Sequence, residues 1–488
     1  MPAHGPAPGV ELSSTMAEAT ALTQLSACAA VELLRAGEVS PLELIDAALE
    51  RIERTDGAIN ALPTLCPERA RSRAARMEGV PPEGRGALAG LPIAVKDLTD
   101  VAGVRTTYGS PAFADNVPDS SDLLVERLES HGAVVLAKSN TPEFGAGANT
   151  FNPVLGVTRN PWDTRLTCAG SSGGSAAALA AGQVWLATGS DLGGSLRTPA
   201  SFCSVVGIRP SPGRVPSAPG DLPFDTLGVE GPMGRTVADA ALMLDAMAGP
   251  HPDVPLALPA PQTPFLAAAT APQAPHRVAF SPDLGITPVD AEVAAVCRAA
   301  ALRCEPLGGS VEEDHPDLRE APEAFRLLRA VQFAASLGPL VEEHPGVLKP
   351  EIEGNVELGR SLSGHHVAWA ERSRGALTAR TRAFFEHYDL LICPAACAQP
   401  FPVETRWLNQ LGGYRFEHYV DWLRLTSAIT LVGCPVVALP GGFTAAGLPV
   451  GLQLVGRPGG EHRLLAAAAA LEAELGIAGR VPIDPRPG

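Results

Sequence analysis

Apolar and polar positions alternate along the chain in a way that predicts short buried strands separated by amphipathic helices. Residues 15–37 form a helix-length amphipathic run that ends at Gly37. The next segment, Ser40-Pro41-Leu42-Glu43, has the composition of a capping box and predicts a helix to about Thr55. Further along, we predict strands at 90–97, 133–137 and 185–189, and helices at 121–132, 175–181 and 236–248. This order is typical of a mostly parallel sheet covered by helices.

The same pattern returns after a proline-rich stretch at 249–275 that has no apolar periodicity. There we predict strands at 277–280, 390–394, 436–440 and 450–456, and a last helix at 461–475. The fold class is therefore α/β, with a mixed, mostly parallel central sheet and helices on both faces. We expect a flexible N-terminus at 1–15, a core formed by 16–250 and 388–480, and a smaller helical/αβ lobe inserted at 251–387, all within one large domain.

Composition and charge narrow the possible functions. The 488 residues include 37 Lys and Arg against 53 Asp and Glu, and the net charge of −16 disfavours nucleic acid and anionic membranes as partners. The N-terminal residues do not resemble a signal peptide, and no uninterrupted apolar run reaches the ~18 residues needed to span a bilayer. We therefore expect a soluble, cytoplasmic protein. The nine scattered cysteines fit buried free thiols, and Cys393 and Cys397 lack further ligands at metal-site spacing, so no metal is expected.

Two loops rich in glycine and serine carry the candidate chemistry. Residues 170–175 (GSSGGS) precede an alanine-rich run of helix length, and residues 190–195 (SDLGGS) follow the next predicted strand. A serine hydroxyl is a weak nucleophile until a base takes its proton, and none of the 11 histidines lies near these loops in the sequence. Lys96, at the polar end of the first predicted strand, becomes a base if burial keeps its amine neutral. Loops at the carboxyl ends of parallel strands line one cleft, which allows these groups to converge.

The second loop also offers backbone donors for an oxyanion hole, because a Gly-Gly turn can aim successive N–H groups inward; these are the N–H groups of Leu192, Gly193, Gly194 and Ser195. Strand alternation places Asp97 on the face opposite Lys96. We expect Asp191 and Arg197 to form a scaffolding ion pair. Each feature taken alone also fits a structural interpretation. GSSGGS fits a capped helix or a phosphate-binding loop, although it lacks the GK[ST] ending of a P-loop, and a lysine at the end of a strand is commonly a solvated charge.

Several linked segments together resemble the amidase signature family; they are AVKD (94–97), KSNTPEFG (138–145), RNPWD (159–163), GSSGGSAAALAAG (170–182), SDLGGSLRTPASFCSVVGIRPSPGRVP (190–216), LVGCP (431–435) and GLPVGLQLVG (447–456). The resemblance covers roughly residues 20–475. It implies a Ser–cis-Ser–Lys triad with Ser195 as nucleophile, Ser171 as bridging serine on a cis peptide bond after Gly170, and Lys96 as base. Ser172 is expected to support this network. The chain departs from the family at Ala169, where glycine is frequent.

The resemblance also places Gly145, Ala146 and Asn149 in the wall of the acyl pocket, where small residues indicate a roomy site. Ile429 belongs to an apolar stripe at helical spacing that fits either a second pocket wall or the hydrophobic core. Together these residues favour a neutral, partly hydrophobic amide, anilide or carbamate. We expect such a small-molecule substrate to be hydrolysed through an acyl-enzyme, without a cofactor, by a monomer or homodimer.

A second interpretation remains open: the chain is the amidase subunit of a tRNA-dependent amidotransferase complex. Such a subunit needs partner subunits and a basic surface facing the tRNA. The acidic net charge disfavours this interpretation, as does the lack of recognisable glutamine-site motifs in the C-terminal half.

Overall fold

An eleven-stranded sheet forms the centre of the computed structural model, which describes residues 14–217 and 222–488. Including three two-stranded ribbons, the strands are β1 (Thr64–Leu65), β2 (Pro92–Lys96), β3 (Val134–Ser139), β4 (Phe151–Asn152), β5 (Gly156–Val157), β6 (Arg159–Asn160), β7 (Asp163–Thr167), β8 (Leu186–Asp191), β9 (Val206–Arg209), β10 (Val229–Gly234), β11 (Arg277–Phe280), β12 (Ser310–Glu313), β13 (Leu390–Pro394), β14 (Gln410–Leu411), β15 (Tyr414–Arg415), β16 (Val436–Phe443) and β17 (Pro449–Val455). The order in the central sheet is β1-β3-β2-β8-β10-β9-β16-β17-β13-β11-β12.

The sheet is mixed, as predicted, but its parallel pairings are the minority. Four of the ten pairings between neighbouring strands are parallel, namely β2 with β3 and β8, and β11 with β12 and β13. The other six are antiparallel and include the whole run from β8 to β13. β16 and β17 show the physical reason, since a connection as short as 444–448 brings two strands together only as an antiparallel pair.

Helices cover both faces of the sheet; they are α1 (Ser14–Gln24), α2 (Ala27–Ala36), α3 (Pro41–Ile59), α4 (Pro67–Glu78), α5 (Leu123–Ser130), α6 (Gly173–Ala180), α7 (Arg197–Cys203), α8 (Val237–Met247), α9 (Phe265–Ala269), α10 (Ala291–Ala301), α11 (Ala321–Ser336), α12 (Gly338–Glu343), α13 (Pro350–Ser361), α14 (Gly364–Phe384), α15 (Arg424–Leu431) and α16 (Glu461–Leu475). In the part of the chain that the structure describes, no helix combines the length and the apolar character that a membrane span requires.

Local capping explains where the first helices begin. The predicted capping box is confirmed, because Ser40 Oγ accepts from the N–H of Glu43 at 3.2 Å and Glu43 Oε2 accepts from the N–H of Ser40 at 2.7 Å. The single run expected over 15–37 is divided into α1 and α2. Ser26 separates them, since its hydroxyl caps α2 by accepting from the N–H of Ala29 at 3.1 Å.

The segment 251–387 is tied to the rest of the chain through the sheet. It contributes β11 and β12, and β11 pairs directly with β13, where Val278 lies opposite Leu390. Its helices α13 and α14 both pack on α11. The division of the domain at 250 and 388 stays a prediction. The predicted N-terminal segment 1–15 lies, apart from its last two residues, outside the described residues.

The topology brings the two candidate loops to the end of the strand that carries Lys96. β2 and β8 are parallel neighbours, with Ile93 opposite Leu186, so their carboxyl ends meet at one edge of the sheet. Lys96 is the last residue of β2 and Asp191 the last of β8. The loop 170–172 enters α6, which packs against both strands. Chemical groups from three separate parts of the sequence therefore meet at this edge.

Candidate active site

The buried amine of Lys96 lies among three serine hydroxyls. Its Nζ donates to the Oγ atoms of Ser171 at 2.6 Å, Ser172 at 3.0 Å and Ser190 at 2.9 Å. The side chain is completely buried, and no carboxylate of the described residues lies within ion-pair distance of it. Burial therefore lowers the pKa of Lys96, while the more distant charges of Glu230 and Asp191 oppose that shift. These surroundings favour a neutral amine.

A second buried lysine shows what a paired amine looks like in this fold. Lys138 lies at the end of β3, and its Nζ donates to the carbonyl of Thr99 at 2.6 Å and lies 3.5 Å from Asp97 Oδ1. Asp97 also accepts from the hydroxyl of Thr107 at 2.6 Å. The expectation that Asp97 points away from Lys96 is thus confirmed. Asp97 pairs with Lys138, so the Lys96 amine has no contacting counter-ion.

Ser171 is held in a tightly packed loop. The Gly170–Ser171 peptide bond is cis, as the family resemblance implies, and Ser171 is only 2% exposed. A Cβ built on Gly145 would lie 3.3 Å from Ser171 Oγ, which explains a glycine beside this hydroxyl. Ala169 has a φ of +58°, in the left-handed region that favours glycine. Its carbonyl accepts from the hydroxyl of Thr150 at 2.8 Å, which holds the loop in place.

Ser195 ends a turn that Asp191 organises. The Asp191 carboxylate accepts from the N–H groups of Gly194 and Leu196, each at 3.0 Å. The prediction that Gly194 supplies an oxyanion donor therefore needs correction, because its N–H is already bonded in this structure. The N–H groups of Leu192, Gly193 and Ser195 have no acceptor among the described residues. Ser195 is half-buried, and its side chain borders a cavity.

Asp191 is also the centre of the predicted ion pair. Arg197 contacts it twice, from Nη2 to Oδ1 at 2.8 Å and from Nε to Oδ2 at 3.0 Å. Arg209 adds a contact at 3.0 Å that was not expected from the sequence. Burial alone would raise the pKa of Asp191, but the two arginines hold it well below the usual range for a carboxyl. Asp191 is therefore a permanently charged scaffold for the turn.

The cavity beside Ser195 has the size of a small-molecule site, with a volume of about 310 Å³. Its chemical groups include the side chains of Ser171, Ser190 and Ser195. Most of its remaining walls are apolar, formed by Leu98, Phe144, Phe325, Phe333, Val420 and Leu423. Four larger polar residues also border it: Asp191, Glu230, Arg329 and Tyr419. An apolar substrate with a few polar groups fits such a lining.

The structure separates the predicted substrate-binding residues into two groups. Gly145 borders the cavity, and Ser172 contacts Lys96. Ala146, Asn149 and Ile429 are not among the described residues that line it, and their role in substrate binding stays a prediction. Ala146 belongs to the same apolar cluster as Phe333, and Ile429 is a buried residue of α15. The Asn149 amide oxygen accepts from the Thr167 hydroxyl at 3.0 Å.

Three residues of the site were missed at the level of sequence. Ser190 is the third acceptor for Lys96, although the prediction named only its neighbours. Glu230 and Arg329 border the cavity from β10 and α11. Glu230 lies in a segment rich in glycine and proline (228–234), and Arg329 lies four residues from both Phe325 and Phe333. A charge in an otherwise apolar stripe is the signal at Arg329, but this pattern does not show that the stripe packs over the cavity.

Other reactive groups near the loops are not suited to catalysis. Cys168 is fully buried, and burial raises the pKa of its thiol to about 12, so the nucleophilic thiolate is scarce at neutral pH. All nine cysteines are free thiols. The described residues contain no group of three or more His, Cys, Asp or Glu side chains positioned to hold a metal ion.

Comparison with known proteins gives consistent matches over nearly the whole chain. The family model described as Amidase matches residues 43–465. The acylamidase of Rhodococcus erythropolis is 35% identical over 467 residues, covering 94% of this chain and 97% of that protein. A glutamyl-tRNA(Gln) amidotransferase subunit of Moorella thermoacetica is 36% identical over 481 residues, covering 90% of this chain and 94% of that protein.

Solved structures agree with this assignment. A bacterial aryl acylamidase of the amidase signature enzymes superposes with a TM-score of 0.88 at 26% identity, covering 95% of this chain and 99% of the other. The 6-aminohexanoate cyclic dimer hydrolase superposes with a TM-score of 0.85 at 28% identity, covering 95% and 100%. Sequence and fold thus lead to the same conclusion: the chain belongs to the amidase signature family and is a hydrolase that acts on amides.

Proposed function

We propose that the protein hydrolyses the C–N bond of a small, largely apolar amide, anilide or carbamate through an acyl-enzyme on Ser195. The observation that carries this proposal is the Lys96 amine, which is buried among serine hydroxyls and has no contacting carboxylate. A base of this kind can activate a serine in the absence of histidine. Ser195 borders the same cavity as Ser171 and Ser190, and its carbonyl accepts from the N–H of Ser172 at 3.2 Å.

In the proposed mechanism, the neutral amine of Lys96 takes the proton of Ser171 while Ser171 takes that of Ser195. The Ser195 oxygen attacks the amide carbonyl, and the negative oxygen is stabilised by the free N–H groups of Leu192, Gly193 and Ser195. The proton then returns through Ser171 to the leaving nitrogen as the C–N bond breaks. An amine or ammonia departs, and the acyl group stays on Ser195. Water releases the acid by the same sequence of proton transfers.

The substrate range is proposed from the walls of the cavity. Phe144, Phe325 and Phe333 provide aromatic surface, which suits an acyl or aryl group. The similar acylamidase and aryl acylamidase are consistent with this choice by their names. Carbamates and esters present a comparable carbonyl to Ser195, so slower turnover of both is expected. A panel of amide, anilide, ester and carbamate substrates with a colour readout would rank them.

Substitution of the proposed nucleophile and base tests the mechanism. Ser195→Ala and Lys96→Ala should each lower kcat by about 10⁴-fold or more, because the loss of one residue of such a catalytic unit makes the others ineffective. Circular dichroism should show that both variants remain folded. Ser175→Ala is the matched control, since its buried hydroxyl bonds to Ser139 and the carbonyl of Thr188 instead of to Lys96. Substantial hydrolysis by a folded Ser195→Ala protein would rule out the proposal.

A second candidate function is that of the amidase component in a tRNA-dependent amidotransferase. The 36% identity to a glutamyl-tRNA(Gln) amidotransferase subunit supports it, whereas the net charge of −16 disfavours contact with tRNA. Purification decides between the two. A chain that purifies alone and hydrolyses anilides supports the first function, whereas release of ammonia from glutamine only in the presence of copurified subunits supports the second.

A further inference from the structure

Arg329 is a buried cation without a carboxylate partner, and it borders the cavity. The residue is only 6% exposed. Its guanidinium carbon lies 3.9 Å from the ring centroid of Phe333 and 5.2 Å from that of Tyr419, and its Nη1 donates to Asn355 Oδ1 at 2.6 Å. Across residues 14–217 and 222–488, no carboxylate lies within ion-pair distance of this guanidinium, and besides Asn355 only the Tyr419 hydroxyl lies close enough to act as an acceptor.

Such a group is unusual because moving a charge out of water costs a large amount of free energy unless a partner compensates for the lost hydration. Arg197 and Arg209 obey this rule, since both contact Asp191. The Glu351 carboxylate acts electrostatically on Tyr419, next to Arg329, but it is already occupied. Both of its oxygens accept from Arg406 at 2.5 Å. The free donors of Arg329 are therefore available to a molecule that enters the cavity.

The position of Arg329 relates it to the reacting centre. Phe325, Arg329 and Phe333 lie four residues apart on α11, and all three border the cavity. A Cβ built on Gly193 would lie 3.4 Å from the ring of Phe325, so this end of the stripe touches the oxyanion turn. Four residues advance an α-helix by about 6 Å. Arg329 therefore lies one helical turn along α11 from Phe325, which touches the loop that carries Ser195.

We propose that Arg329 binds a carboxylate of the substrate, so that the amide hydrolysed at Ser195 carries an anionic group a few bonds from its reacting carbonyl. This inference rests on the proposed function and replaces the neutral substrate expected from the sequence with an amphiphilic one. A guanidinium presents two parallel N–H donors that match a carboxylate. The rings of Phe333 and Tyr419 hold the planar guanidinium in place and shield it from water, which strengthens its attraction for an anion.

The carboxyl groups that border the cavity do not oppose this assignment. Asp191 is paired with Arg197 and Arg209. Glu230 is the cross-strand partner of Ser190, which contacts Lys96. Burial raises the pKa of Glu230 and Lys96 lowers it, so the charge of this carboxyl is set together with that of Lys96. The cavity therefore has a single unpaired positive charge at the α11 wall.

Two matched substrate series test the proposal. On the acyl side, glutaryl 4-nitroanilide is compared with pentanoyl 4-nitroanilide. On the amine side, the pentanoyl amide of 4-aminobenzoate is compared with that of 4-toluidine. The native enzyme should prefer the carboxylate substrate of at least one series, mainly through a lower KM. Arg329→Met should reduce that preference by about 10- to 100-fold, the usual effect of losing a hydrogen-bonded charge.

Arg326→Met is the control, because Arg326 lies on the same helix but is paired with Glu323; it should keep the native preference. Equal hydrolysis of both substrates in each series by the native enzyme would overturn the proposal, as would an unchanged preference in Arg329→Met. If Arg329→Met does not fold, Arg329→Lys takes its place and should lose at least about threefold of the preference, since an ammonium lacks the planar fork.

Calorimetry separates this inference from the proposed function. Glutaryl 4-nitroanilide should bind the Ser195→Ala protein more tightly than pentanoyl 4-nitroanilide does, and the difference should disappear in Ser195→Ala/Arg329→Met. This measurement needs no turnover, so it tests Arg329 even if the native enzyme hydrolyses none of the four substrates. In that case the proposed function fails by itself. Equal binding of the two anilides to Ser195→Ala would refute the carboxylate site.

Discussion

Lys96 is buried and Glu230 is half-buried, and both of these ionisable side chains lie beside Ser190. Ser190 accepts from Lys96 Nζ at 2.9 Å, and it lies directly opposite Glu230 in the β8–β10 pairing. Directly opposed residues of an antiparallel pair point to the same face. One carboxyl oxygen of Glu230, Oε2, is buried without a hydrogen-bond partner. The charge state of Glu230 therefore influences the proposed base without contacting it.

Activity should fall as the pH decreases, because only the neutral amine of Lys96 accepts a proton. Glu230→Gln removes a negative charge that stabilises the protonated amine, along with Asp191, and it should lower the pKa of Lys96 further. The acid limb of the kcat/KM profile should then move to lower pH by about one unit, the effect expected for a nearby charge. The profile is measured with a substrate that does not ionise in this range.

The control for this experiment is Glu404→Gln, which changes a side chain on the surface. Asp122 raises the pKa of Glu230, so Asp122→Asn should make Glu230 ionise more readily and move the limb by a smaller amount to higher pH, opposite to Glu230→Gln. An acid limb that stays in place in Glu230→Gln would show that this carboxyl does not affect the base. A profile with no acid limb in the native enzyme would exclude lysine as the base altogether.

Among single residues, the sequence identified those whose neighbours along the chain form a distinctive motif. Lys96, Ser171 and Ser195 each stand in a recognisable motif, and the structure brings the first two into contact. Glu230 and Arg329 could not be found in this way. Their importance depends on a strand register and on a helix packed over the cavity, which are long-range features that local pattern does not encode.

Elements were predicted best where local chemistry determines them. The start of α3 follows from Ser40, Pro41 and Glu43, and the structure has this helix at Pro41–Ile59. Strand positions followed from apolar runs, but the direction of their partners did not, because burial on both faces looks the same in parallel and antiparallel pairs. The sequence therefore overestimated the parallel part of the sheet, and it located seven of its eleven strands but missed β1, β9, β10 and β12.

The capping box of α3 should have a local effect on stability. Ser40→Ala removes the acceptor for the N–H of Glu43 and should cost about 1 kcal/mol of local stability. Amide hydrogen exchange in the first turn of α3 should accelerate accordingly, while kcat stays the same because α3 does not border the cavity. Ser26→Ala is a matched comparison, since it caps α2 in the same way. Unchanged exchange in α3 would mean that tertiary packing alone holds this helix end.

Across the whole molecule, Arg197 connects parts of the chain that are far apart in sequence. It donates to Asp191 at the end of β8, to Thr430 Oγ1 on α15 at 2.8 Å and to Gln453 Oε1 on β17 at 2.6 Å. These elements belong to the N-terminal and C-terminal halves of the sheet. Because the side chain is fully buried, its bonds are not shared with solvent. Arg197 therefore links the turn of Ser195 to the assembly of the whole sheet.

Arg197→Met should destabilise the protein by about 3–5 kcal/mol, because it leaves Asp191 and three other buried acceptors with fewer partners. Denaturant unfolding at pH 7 measures this loss. Arg319→Met, which breaks an exposed pair with Asp317, should cost far less. The sign of the pH dependence follows from Asp191, whose pKa is held low in the folded state. Its contribution to stability is complete above the unfolded pKa of about 3.9 and is lost as the pH falls further. The difference in the free energy of unfolding between the native protein and Arg197→Met should therefore narrow in strong acid. A difference at pH 7 no larger than that of Arg319→Met would show that the two halves are held together by apolar packing alone.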